Sequence, residues 1–163
     1  MFLSRECICP IGIGTARARL ADLADSGWLA TACAAAYQDG LDQLLWAWAP
    51  EDTPARSRLT KSYFLDPIHH PGSTIMGMRW EATGLTGRPF PALDANITLT
   101  PEGGQHTQIT LTGVYRSPLG PPGAGLDRVL LHQAATAAIG SLLTRVTSAL
   151  EDTARTPGNP AAP

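Results

Sequence analysis

Apolar residues between Leu126 and Leu150 recur every three to four positions. Leu131, Ala135, Ala138, Leu142, Val146 and Ala149 fall on one stripe, flanked by Ile139, Leu143 and Leu150, which predicts a long amphipathic helix. At 1.5 Å per residue it would run close to 40 Å, enough to cross a small domain. Upstream the period is shorter. Arg58–Asp66, Thr74–Thr83, Asp94–Thr100 and Thr107–Tyr115 alternate as strands do, and Pro101-Glu102-Gly103-Gly104 between the last two reads as a hairpin turn. Ile97 and Leu99 oppose Asn96 and Thr98, and Ile109 and Leu111 oppose Gln108, Thr110 and Thr112, so one face is buried and the other wet.

Phe2–Cys9 is a further strand, stopped by Pro10 and Gly12. Two helices follow: Thr15 opens the first and Gly27 ends it, and Trp28–Asp39 forms the second, with Gly40 in the place of a C-terminal glycine. From Leu41 to Ala49, Leu44, Trp46 and Trp48 alternate with Leu45, Ala47 and Ala49, which predicts another strand, and Pro67–Gly72 reads as a loop. The order is strand, two short helices, about five antiparallel strands, long helix. This predicts an α+β chain in which a curved antiparallel sheet buries its apolar face against the final helix. Residues 1–152 are expected to form a single domain, and the Pro-rich 153–163 a flexible tail.

At 163 residues, with 44% hydrophobic content, the chain can bury a core without disulfide or metal staples. A formal charge of −2 carries no basic excess for nucleic acid, and no apolar run is long enough to span a membrane. Arg5 and Glu6 interrupt any signal-peptide core, so the reading is cytoplasmic. Cys7 and Cys9 are spaced too far along a strand for an easy disulfide, and with Cys33 they read as reduced thiols. Gly12-Ile13-Gly14 lacks the third glycine of a dinucleotide fingerprint, which would stand at Arg17. His69-His70 has no third ligand nearby, and no metal or cofactor is expected.

Several stretches resemble the START-like or helix-grip superfamily, also called SRPBCC (polyketide cyclase/dehydrase and lipid-transport proteins). They are Arg79-Trp80-Glu81-Ala82-Thr83-Gly84, Phe90-Pro91-Ala92-Leu93-Asp94-Ala95, Leu111 to Gly120 (LTGVYRSPLG) and Gly125-Leu126-Asp127-Arg128. Uncharacterised actinobacterial members are the most alike. The resemblance implies a cavity between sheet and helix that takes lipids, hormones or polyketides, with cyclisation or dehydration in some members and protein partners in others.

The residues that would line such a cavity are Trp46, Trp48, Tyr63, Met78, Trp80, Tyr115 and His132. Aromatics bury large areas and serve a solid core equally well, so their pattern leaves core and pocket both open. His132, at the edge of the long helix's stripe, and Tyr115 are the candidate proton-transfer groups. Arg79 and Glu81 share a strand face and read as a solvated ion pair. Three functions follow: binding of a small hydrophobic or amphipathic molecule; a cyclase or dehydratase using the same cavity; or a protein-interaction domain. A homodimer is one option for assembly.

Overall fold

A computed structural model describes residues 2–48, 58–83, 92–116 and 124–152. The elements are β1 (Phe2–Cys9), α1 (Ile13–Asp25), α2 (Trp28–Trp48), β2 (Arg58–Phe64), β3 (Ile68–His70), β4 (Ser73–Thr83), β5 (Ala92–Pro101), β6 (Thr107–Arg116) and α3 (Ala124–Glu151). The strands form one antiparallel sheet in the order β1-β6-β5-β4-β2, with β3 also paired to β4. The expected tail, 153–163, lies outside the described residues.

The sheet has one apolar and one polar face, as alternation requires. Met76, Met78, Trp80, Leu93, Ile97, Leu99, Ile109 and Leu111 are buried on the face toward the helices. Asn96, Thr98, Thr110 and Thr112 occupy the other face, with Asn96 opposite Thr112 and Thr98 opposite Thr110. Gly103, at φ 71°, sits in the β5–β6 turn, a backbone conformation that an L side chain rarely adopts. Gly27, at φ 73°, ends α1 in the same way, and its N–H bonds the Ala24 carbonyl.

The α3 stripe packs as its spacing requires. Ala135, Ala138, Ile139, Leu142, Leu143, Val146, Ala149 and Leu150 are all buried. The helix lies along the β1–β6 side of the apolar face, where the Cys7 thiol and the Thr147 hydroxyl meet at 2.9 Å. Arg19 of α1 donates from Nη1 to the Leu150 carbonyl, satisfying an acceptor that the end of α3 leaves without an intrahelical partner.

The second helix departs from the sequence expectation. It does not stop at Gly40: α2 runs on to Trp48, so the strand expected over Leu41–Ala49 is helix as far as Trp48, the last residue described there, and the second helix is not short. From Leu44 to Ala49 every position is apolar, and such a run cannot distinguish period 2 from period 3.6. Gly40 lies within the helix, at the point where α3 crosses α2 closely. A Cβ at Gly40 would lie 2.6 Å from the Ala134 carbonyl oxygen and 2.9 Å from the Ala138 Cβ. One turn away, Ser141 and Arg145 donate to the Asp39 carboxylate, Arg145 from Nη2 at 3.0 Å. The sheet is therefore covered by two long helices side by side. The loop expected over Pro67–Gly72 contains β3, a short strand of three residues.

Candidate functional site

The site is built where α2 faces β2 and β4. Cys33 and Tyr37 stand one turn apart on α2, so both side chains leave the same face of the helix. Both are buried. On β4, Met78 and Trp80 alternate with exposed Arg79 and turn toward the helices. The β2–β4 register sets Ser62 opposite Trp80 and Phe64 opposite Met78, while Leu93 of β5 flanks Trp80 on the other side. Tyr37 and Trp80 meet edge to face, with ring centroids 6.2 Å apart and planes at 76°.

Two polar atoms inside this apolar wall have no hydrogen-bond partner among the described residues. They are the Tyr37 Oη and the Ser62 Oγ. Tyr37 is only 7% exposed. Burial alone pushes its phenol well above the usual range. Burial also pushes the Cys33 thiol up to about 12, against the opposing influence of the neighbouring Ser62 hydroxyl. That hydroxyl stands near the thiol but makes no well-formed hydrogen bond to it. At neutral pH the cluster is thus a set of uncharged donors and acceptors. It can orient a polar group, but it holds no thiolate for nucleophilic attack.

The expected site residues separate. Met78 and Trp80 lie in the wall. Tyr63 does not: it pairs with Arg79, faces the opposite side of the sheet, and is 47% exposed. The register shift between Leu59 and Lys61 breaks the parity of β2, leaving Ser62 and Phe64 opposite the buried Met78 and Trp80. Trp46 and Trp48 belong to α2 and not to a strand; their side chains lie outside the described residues. Tyr115 is in register with Leu93, and its side chain also lies outside them. His132 is exposed on α3. Of the seven, the described part of the site therefore brings together Met78 and Trp80. The sequence pattern does not single out Tyr37, and it gives Cys33 only as a reduced thiol. The available signal was their one-turn spacing in a helix otherwise rich in alanine.

The remaining polar clusters are at other places. On the outer face Arg79 binds Glu81 at 2.7 Å and Asp94 at 3.6 Å, the solvated pair expected from the sequence. His69 Nδ1 meets the Thr74 hydroxyl at 3.0 Å, near the far end of β4 from Trp80. Among the described residues no group of three or more His, Cys, Asp or Glu could hold a metal ion, and no helix is long and apolar enough to cross a membrane.

No family model matches the chain, and no curated protein matches it. Solved structures do. A conserved protein from Geobacillus kaustophilus is 14% identical, with a TM-score of 0.50, covering 92% of this chain and 95% of that one. A protein from Thermus thermophilus is 16% identical with a TM-score of 0.43, covering 92% and 97%. The Zhui aromatase/cyclase from a Streptomyces species is 13% identical with a TM-score of 0.44, covering 97% and 98%. At these identities the likeness speaks to fold alone, and the Geobacillus protein carries it. The chain has the α+β helix-grip architecture: a curved antiparallel sheet closed by its C-terminal helix.

Proposed function

We propose that the chain is a START-like binding protein that takes a small, mostly apolar molecule against the wall formed by Cys33, Tyr37, Ser62, Met78 and Trp80. One observation carries this reading. The Tyr37 and Ser62 hydroxyl oxygens are buried beside Trp80 without hydrogen-bond partners. Leaving a buried polar group unmade costs roughly 1–3 kcal/mol. A ligand that supplies the missing partners offsets that cost on binding, and edge-to-face aromatics suit a flat apolar body. The cyclase alternative draws less support, because His132 is exposed and Cys33 and Tyr37 hold their protons.

Titration with the uncharged dye Nile red tests the reading. Saturable binding with one dye per chain is expected, and Cys33→Phe, which fills the wall, should abolish it while leaving the near-UV circular dichroism intact. Dye binding that does not saturate, or that survives Cys33→Phe in a folded variant, would sink the proposal.

A further inference from the structure

We infer that the molecule this site takes is uncharged and presents a hydroxyl or carbonyl oxygen, on an otherwise aromatic or apolar body, to Tyr37 and Ser62. The inference rests on the binding reading above and narrows it to a chemical class.

The two unpartnered groups are both hydroxyls, each able to donate one hydrogen bond and accept others. They flank the same indole: Tyr37 touches Trp80 ring to ring, and Ser62 is its cross-strand neighbour. A ligand carbonyl would accept from either hydroxyl, and a ligand hydroxyl could also donate. The local electrostatics select against charge. Burial is the whole cause of the shift at Tyr37, and at Cys33 the neutral Ser62 hydroxyl is the one neighbour among the described residues that acts on it, opposing the effect of burial. Among the described residues, then, no Lys, Arg or His acts on either group to balance a carboxylate, and no Asp or Glu acts on them to balance an ammonium. The charged networks lie elsewhere: Arg79–Glu81–Asp94 on the outer face, and Asp39–Arg145 on the side chains that tie α2 to α3. An ion entering beside Trp80 would lose its hydration and gain no counter-charge from the described residues, a far larger cost than that of an unmet neutral hydroxyl.

Paired probes of nearly equal size and shape test this. 2-Naphthol is neutral at about pH 7 and 2-naphthoate is an anion. Each is titrated against the protein by its displacement of Nile red and by isothermal calorimetry. The expected result is naphthol binding at least about tenfold tighter than naphthoate, with Tyr37→Phe weakening naphthol by about three- to tenfold and Ser62→Ala by less. Ligand-free Tyr37→Phe should melt no lower than the parent chain, because it loses an oxygen that had no partner. This melting result separates a ligand-facing hydroxyl from a structural one. Equal affinity for the two probes, or unchanged naphthol affinity in Tyr37→Phe, overturns the inference and leaves the binding site standing. Failure of both probes with Nile red still bound also overturns it. Failure of Nile red as well brings down the binding reading itself.

Discussion

Gly40 offers the sharpest test of how the two long helices are held. Its Cβ position is 2.6 Å from a backbone oxygen, Ala134 O, and 2.9 Å from the Ala138 Cβ. Neither is the end of a flexible side chain, so Gly40→Ala must part the helices by about half an ångström. Overpacking costs about 1–3 kcal/mol, and a contact this short on a backbone atom belongs at the upper end, about 2–3 kcal/mol. Alanine's better helix propensity returns about 1 kcal/mol, so the net expectation is a loss of about 1–2 kcal/mol. For a chain of this size that is a fall in Tm of about 2–8 °C. Gly140 is the control. It is interior to α3 and a Cβ there meets nothing within 4 Å. Gly140→Ala therefore gains propensity without a clash and should raise Tm by about 2–4 °C. Gly40→Asn separates a crossing from a helix end, since asparagine is tolerated at a C-terminal cap but is larger than alanine at a contact. Differential scanning calorimetry and urea unfolding of the three variants read the signs. A Gly40→Ala protein as stable as its parent, or Gly40→Asn less harmful than Gly40→Ala, would refute the crossing argument.

Two further outcomes follow from buried groups. Cys9 and Cys33 are held protonated up to about 12 in the folded chain, whereas in the unfolded chain a thiol ionises near 9, and the Tyr37 phenol is raised as well. Between those values the folded state binds more protons than the unfolded one, so stability is intact below about pH 9 and declines as pH rises. The slope is on the order of 1 kcal/mol per pH unit for each thiol; a urea midpoint that stays flat from neutral pH to about 10.5 would contradict it. Arg19→Met should cost about 1 kcal/mol in urea unfolding, because the Leu150 carbonyl at the end of α3 loses its donor; an unchanged midpoint would show that solvent replaces the guanidinium there.

Much of the architecture was legible in the residue pattern. Strict alternation in β5 and β6, the turn chemistry of Pro101-Glu102-Gly103-Gly104, and the α3 stripe each agree with the fold at the level of single residues. In these segments one face is polar, so the period itself says which side is buried. Legibility failed where that contrast is missing. Leu44–Ala49 is apolar throughout, so it offers no polar face to fix a period, and the chain is helix as far as Trp48, with α3 packed closely against α2 at Gly40. In β2 the polar residues are spread over both faces, so alternation alone could not say whether Ser62 or Tyr63 turned inward.

The local order of helices and strands is therefore a property of the sequence by itself, because hydrophobic period, caps and turn residues act within a few positions. The candidate site is a property of the tertiary structure. Cys33 and Tyr37 meet Ser62 and Trp80 only after α2 is laid across the β2–β4 end of the sheet. Whether a hydroxyl is satisfied is settled by atoms distant in the chain, and no pattern along the chain records that distance.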